Sequence, residues 1–352
     1  MVRASRSTVR WADEPRRVGE NEVEIRRGGG SDISFLLILT DSYDTHIDFL
    51  VPKLREAGIS FFRLNLDVAS LLSTYITRVN EEWEIEQQSK RALTSEFSVV
   101  YARRAFVEQT LEEQSVRDTG FSIWRGEWNK TLLGIYESLR HAHWLNPLGK
   151  AYRGENKYFQ MHLAHEVGFQ IPETMVSNRK KDLQDFANRF SSVSYKAYAQ
   201  GVYAVGEEYL GLYANRITNR ELANFGGVEE NPIVLQEYVE KAYEVRYTVV
   251  GKEHYACRIE SQQSEKARDD WRHYDLANTP HYPMEAPNEI QMKVNVFMEK
   301  IGLEYGAFDF IVDPRGTWYF LEINCMGQWL WIEQLTGLPI SDAIIRWIKS
   351  RY

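Results

Sequence analysis

Near the C-terminus the chain reads GTWYFLEINCMGQW over residues 316–329, which sets Glu322 and Asn324 two positions apart among apolar residues. The side-chain period of a strand puts both on one face, together with Trp318 and Phe320. A carboxylate and an amide buried there without partners would be costly, so that face needs either internal pairing or a ligand. Just upstream, GAFDFIVD (306–313) runs into Pro314-Arg315-Gly316, a turn signal between two apolar runs that predicts a hairpin. With a loop over 313–316, Val312 faces Thr317, Asp309 faces Phe320 and Glu322 lies diagonal to Asp309. Two carboxylates and an amide oxygen then converge, and a hard cation with oxygen ligands neutralises such a set. Magnesium carrying phosphates suits these donors better than zinc, which draws on Cys or His. An edge hairpin whose acids face water is the competing reading.

Lys157 and Lys196 fall in different expected elements, one in a helix and one in a strand. Each alone reads as a surface lysine; together they would offset the charge of a triphosphate and leave its terminal phosphorus reactive. LQEYV offers an extended backbone whose N–H and C=O groups can read a purine edge, with Glu237, Tyr238 and Val239 as an adenine hinge and Gln236 supporting it. Any central strand can look similar. Arg246, Arg258 and Arg272 form a pool of cations. Arg246 shares a strand face with Glu244, so a surface ion pair is the plain reading; Arg246 is also a candidate catalytic cation and Glu244 a candidate nucleotide contact. Arg258 sits in an apolar strand and needs a carboxylate, a phosphate or a path to solvent. In DDWR (269–272), Asp270 and Arg272 flank Trp271, a set that can recognise a peptide carboxylate or tie down its own loop. The histidines show no metal spacing, and Cys257 and Cys325 lack a histidine-based arrangement that would make either a nucleophile. No GxGxxG motif supports a nicotinamide site.

The elements that must position these groups suggest a mixed chain, α/β at first and α+β later. SFLLILT (34–40) reads as a buried strand, 44–58 as an amphipathic helix with Pro52 as an obstacle, and 59–67 as a second strand in a parallel pair. A poorly specified polar region follows. FSVVYARRA (97–105) extends the sheet, and 119–144 is largely helical up to Asn146-Pro147. A second unit holds a helix over 155–168, a strand-like FQIPETMVS, a helix over 182–190 and a strand over 193–199. A third holds strands over 233–239, 244–251 and 253–261, a helix around 287–302, the hairpin, and short helices around 329–335 and 340–349. The boundaries are therefore 1–32 (an arginine-rich tail), 33–147, 148–228 and 229–352. The polar, proline-bearing stretch 261–288 is long for an inert connection and reads as a substrate loop.

A length of 352 residues supports two or three domains, and 43% hydrophobic with 13% aromatic content excludes global disorder. A net charge of -8 gives no case for nucleic-acid binding. Two cysteines cannot build a disulfide framework, no apolar run approaches the roughly 18 residues of a membrane span, and the first thirty residues lack a signal peptide's apolar core. A cytoplasmic protein with no membrane partner is expected.

In this order, the elements resemble the ATP-grasp carboxylate–amine ligase superfamily over roughly 144–348, with 34–67 similar to that family's N-terminal domain. The resemblance implies an ATP-grasp fold preceded by an α/β pre-ATP-grasp domain, with ATP held between two lobes. Lys157 and Lys196 become ATP lysines, Gln236–Val239 the adenine hinge, Arg258 a phosphate or acyl-phosphate contact, and Asp309, Glu322 and Asn324 the Mg2+ ligands. HWLNP (143–147), ENKYFQMHLAHEVGFQIPET, CRIES with DDWR, and INCMGQWLWIEQLTGLPI further resemble the ATP-grasp maturases of microviridins and other graspetides. Those ADP-forming enzymes join Asp or Glu side chains of a ribosomal precursor to Ser, Thr or Lys, as lactones or lactams, after a leader segment engages the enzyme. The resemblance thus implies a leader-bearing precursor peptide as partner, with a homodimer as an option. Arg103 and Arg104 are candidate precursor contacts. The sequence departs from the pattern in AYAQGVYAVGEEYLG, which lacks a clean glycine-rich repeat, and at Cys325-Met326, where Pro or Asn is more usual.

Overall fold

The computed structural model describes residues 34–108, 119–196, 198, 202–205, 208–211, 215–224, 226, 228–264 and 278–352. The tail over 1–32 and the candidates Asp270, Trp271 and Arg272 lie outside the described residues.

Strands β1 (Phe35–Thr40), β2 (Phe61–Asn65), β6 (Phe97–Ala102) and β7 (His143–Leu145) form a parallel sheet in the order β2-β1-β6-β7. β1 is apolar on both faces because both are covered. Leu36 and Ile38 pack with Ile47, Leu50 and Leu54 of the helix Thr45–Glu56, while Leu37 and Leu39 share a core with Leu132 and Ile135 of the helix Thr119–Ser138. The first helix is capped by Asp44, which accepts from the His46 backbone, and it runs through Pro52 without breaking. The second stops at Ser138, short of the expected 144. Residues 143–145 leave the helix to pair with β6, completing the sheet. The polar region that carried no assignment is a meander of β3 (Tyr75–Val79), β4 (Glu82–Gln87) and β5 (Lys90–Leu93). β3 is exposed at nearly every position, so no apolar face announces it.

The central sheet runs β12-β9-β13-β8, with β8 at Thr174–Ser177, β9 at Val193–Lys196, β12 at Asn215–Ile217 and β13 at Ile233–Glu237. A hairpin of β10 (Val202–Val205) and β11 (Glu208–Gly211) lies within the stretch that lacked a glycine-rich repeat. The expected third unit placed β13 with the later strands; its hydrogen bonds put it between β9 and β8, because Leu235 buries with Val193, Leu183 and Phe186 in the central core.

The C-terminal sheet runs β16-β15-β14-β17-β18: β14 Tyr243–Val250, β15 Glu253–Ile259, β16 His281–Met284, β17 Tyr305–Val312 and β18 Trp318–Asn324. β16 pairs with β15 inside the stretch expected to be only a loop. One face carries Phe308, Phe310 and Phe320 against Phe297 of the helix Asn288–Ile301. The other shares a continuous core with the N-terminal unit through Cys257, Ala307, Trp329 and Ile344. Among the described residues, no helix is long and apolar enough to cross a membrane.

Candidate nucleotide and metal site

The hairpin loop falls at Asp313–Gly316 as the turn residues predict, with Gly316 N donating to Asp313 O at 2.9 Å and Asp313 N to Thr317 O at 3.0 Å. The register differs from the expected one. Val312 faces Trp318, Phe310 faces Phe320, and a bulge then sets Asp309 directly opposite Glu322. Leu321 is the extra residue, and it reverses the strand's phase. Trp318, Phe320 and Ile323 turn into the aromatic core, while Glu322 and Asn324 turn to the other face beside Asp309. The four residues first expected on one face are therefore divided between two.

β18 is an outer strand, and its edge is closed by side chain and loop rather than by another strand. Gln160 accepts from Ile323 N at 3.0 Å and donates to Ile323 O at 2.8 Å, and Phe320 N donates to Gln170 O at 2.8 Å. Gln160 belongs to the helix Lys157–Val167, whose N-cap Asn156 accepts from Phe159 N at 3.0 Å. That cap makes Lys157 the first helical residue and leaves its ammonium 3.1 Å from Glu322 Oε2.

Across the sheet, the Arg246 guanidinium binds both oxygens of Asp309 at 2.9 and 2.8 Å and is buried with it. Burial works against the arginine's charge, but Asp309 and the neighbouring Tyr305 and Glu322 outweigh it and raise its pKa. The expected pairing of Arg246 with Glu244 does not form. Glu244 is itself buried and bonds Lys241 at 2.6 Å, because β14 sets Arg246 against Asp309 instead. Asn324 offers its amide to both acids, 3.1 Å from Asp309 Oδ2 and 3.5 Å from Glu322 Oε1. No group of three or more His, Cys, Asp or Glu suited to a metal occurs among the described residues. The donor set still fits a hard divalent ion shared with phosphate oxygens: two opposed carboxylates and an amide, with Lys157 and Arg246 beside them.

The hinge candidates occupy the crossing between the central and C-terminal sheets. Gln236 is buried and donates to Thr174 Oγ1 at 2.9 Å, and Glu237 N donates to Glu173 O at 2.8 Å. Tyr238 lies under the Arg216 guanidinium at 4.2 Å, Val239 is nearly buried, and Ala242 N donates to Val312 O at 2.8 Å. Lys196 ends β9 opposite Val234. Two residues on, Tyr198 stacks edge-on against Tyr158 at 5.1 Å, and burial, Tyr158 and Glu322 all push its phenol pKa up. Tyr198, which the sequence did not single out, thus packs the end of the central sheet against the helix that carries Lys157.

Three further arginine candidates hold contacts of their own. Arg258 pairs in register with Val245, which puts it on the face opposite Arg246 and Asp309; it bonds Glu260 at 2.5 Å and stacks 3.9 Å over Tyr243. The structure does not bring it together with the acids. Arg103 has 9% of its side chain exposed, and its guanidinium donates to Met326 O at 2.9 Å and Gly327 O at 3.1 Å. Arg104 is engaged at the surface with Asp41 and Glu108. Burial pushes the Cys257 thiol up to about 12 and raises Cys325 as well, where Glu155 adds to the effect, so neither supplies a thiolate.

A family model described as the MvdD pre-ATP grasp domain matches residues 35–152. Among solved structures, the chain is similar to a Chryseobacterium gregarium RiPP-associated ATP-grasp ligase in complex with ADP and a leader and core peptide. The TM-score is 0.82 at 27% identity, covering 91% of this chain and 97% of that one. It is also similar to the macrocyclase MdnC bound with precursor peptide MdnA from Microcystis aeruginosa, with TM-score 0.77 and 27% identity, covering 88% and 97%. A curated relative, the alpha-aminoadipate–LysW ligase LysX of Sulfurisphaera tokodaii, is 22% identical over 230 residues, which is 61% of this chain and 76% of that protein. The chain thus carries an MvdD-type pre-ATP-grasp domain over residues 35–152 ahead of an ATP-grasp fold, and its structure closely matches the ATP-grasp macrocyclases of ribosomal peptides.

Proposed function

We propose that this protein is an ATP-dependent ligase acting on a ribosomally made precursor peptide, closing side-chain esters or amides between Asp or Glu and Ser, Thr or Lys. The observation that carries this is the opposition of Asp309 and Glu322 across β17 and β18, with Asn324 between them and Lys157 and Arg246 compensating their charge. Relatives whose structures contain ADP and precursor peptides support the same chemistry.

The extended segment Glu237–Val239 would hold adenine, with Gln236 fixing that segment to Thr174. Lys157 and Lys196 offset the charge of the triphosphate. Asp309, Glu322 and Asn324 would hold Mg2+, which when bound would spread the charge that develops on the phosphate oxygens. A precursor carboxylate oxygen attacks the terminal phosphorus, ADP leaves, and the acyl phosphate is then attacked by a hydroxyl or amine of the same peptide, releasing phosphate. Arg246, fixed by Asp309, keeps one ligand in place throughout. The chain need supply no covalent nucleophile. Holding two segments of one peptide in register converts ring closure into an effectively unimolecular step. The expectation that Arg258 stabilises the leaving phosphate requires that it leave Glu260 and reach the other face.

The likeness to LysX favours a second reading, in which a free amino acid or amine is joined to a carboxylate. Incubation with ATP, Mg2+ and a leader-bearing precursor separates the two by intact mass and fragmentation. The first predicts loss of one water mass per bond with both partners inside the peptide. ATP-dependent addition of a free amino acid, with no dehydration of the precursor, would establish the second.

A further inference from the structure

We infer that Arg103, from the N-terminal unit, is a positioning residue for the metal end of the nucleotide site, acting through the Cys325–Trp329 loop that follows Asn324. This rests on the function proposed above.

The loop is held residue by residue. Cys325 N donates to Glu155 Oε1 at 2.7 Å, and Cys325 O accepts from Asn146 Nδ2 at 2.7 Å. Met326 O and Gly327 O accept from the same Arg103 nitrogen, and Gly327 O accepts again from the Tyr305 hydroxyl at 2.8 Å. Gln328 O accepts from Arg246 Nη2 at 3.2 Å, and Trp329 N donates to His46 Nε2 at 3.3 Å. Two arginines on separate structural units therefore grip consecutive carbonyls, and the second of them holds Asp309 with its other nitrogen. A shift of the loop displaces Arg246 and, with it, Asp309 and Asn324.

Arg103 is an expensive choice for mere adhesion between domains. It is buried, its nearest acid is Asp44 at 3.4 Å, and its Nε lacks a hydrogen-bond partner. An apolar side chain of similar volume would pack the same interface without desolvating a charge, so such a group is weak evidence of added stability and better evidence of a register being specified. Asp44 is anchored in turn, accepting from Thr40 Oγ1 at 2.8 Å and capping the helix Thr45–Glu56. The position of that helix is in this way transmitted to the metal ligands.

The test is ADP titration of the full chain, by calorimetry, with and without Mg2+. Arg103→Met keeps an unbranched side chain of similar reach but removes the nitrogen that donates to both carbonyls. It should cut the Mg2+-dependent gain in ADP affinity roughly tenfold and leave metal-free affinity unchanged. If that variant fails to fold, Tyr305→Phe removes one bond to the same carbonyl and should cut the gain roughly threefold. A folded variant that keeps the full gain, or that loses both affinities equally, overturns the inference. Glu322→Gln, run alongside, separates the layers: if it leaves the gain intact, the metal site itself is wrong and both ideas fall, whereas loss in Glu322→Gln without loss in the other variants sinks only the role of Arg103.

Discussion

Gly327→Ala tests how tightly the loop after Asn324 is built. An added Cβ would lie 2.9 Å from Asn324 Cβ, 3.0 Å from Arg246 Nη2 and 3.2 Å from Ala307 Cβ. Ala307 belongs to a central strand and cannot retreat. Asn324 Cβ moves only with its backbone, and Arg246 moves only by loosening Asp309 or the Gln328 carbonyl. Relief therefore has to come from the candidate ligands themselves, by a few tenths of an ångström at each contact. Overpacking of this kind costs about 1–3 kcal/mol of stability. A ligand displacement approaching 1 Å would cost on the order of a hundredfold in rate. Thermal melting should fall by several degrees while the fold survives, and precursor-dependent ADP release should drop far more than the melting temperature implies. A variant that melts lower but turns over normally would show that the close contact serves packing alone.

Gln160→Met keeps the side chain's length but strips both bonds from the β18 edge; leaving Ile323 N and O without partners should destabilise the protein by about 1–3 kcal/mol, read by denaturant unfolding. Lys157→Met should raise the ATP concentration needed for half-maximal turnover by removing the ammonium 3.1 Å from Glu322, with little change in melting temperature, since the lysine is only partly buried. Burial, helped by the charges of Arg103 and Arg104, holds the His46 imidazole below its usual 6.5 against the opposing pull of Asp44. The unfolded chain then binds the proton first on acidification, so the contribution of His46 to stability is full above about pH 6.5 and is lost as pH falls through the lower folded value. Melting temperature should decline from pH 7 toward 5 in the native protein and decline less in His46→Asn. Asp44 adds a second loss at lower pH: burial alone would raise its carboxyl, but the His46 hydrogen bond, the Arg103 charge and the Thr40 hydroxyl outweigh it and hold it well below the usual carboxylate range.

Much of the fold could be read locally. The unbroken apolar run of β1 announced a strand covered on both faces, and Asp313–Gly316 announced its own turn. The bulge at Leu321 was missed although it left a trace. Trp318, Phe320 and Ile323 change parity along β18, as they must if all three are to reach one core. Acid pairing across the hairpin was legible; its register was not, because the bulge answers to helix Asn288–Ile301 packing from elsewhere in the chain. Arg103 and Arg104 look alike in sequence. Only the loop at 325–329, far along the chain, decides which of them is buried. Asn146 and Glu155 stood inside stretches that resembled the maturases, yet nothing local tied their side chains to Cys325. Tyr198 had no signal apart from its position two residues after Lys196.

Trapping the activated carboxylate tests the central claim most directly. With ATP, Mg2+ and precursor peptide, hydroxylamine should capture an Asp or Glu side chain as its hydroxamate, with one ADP and one phosphate released per hydroxamate formed. Glu322→Gln should abolish both signals while leaving the protein folded. Release of AMP and pyrophosphate, or ADP release with no hydroxamate on the peptide, would contradict phosphorylation of a precursor carboxylate at this site.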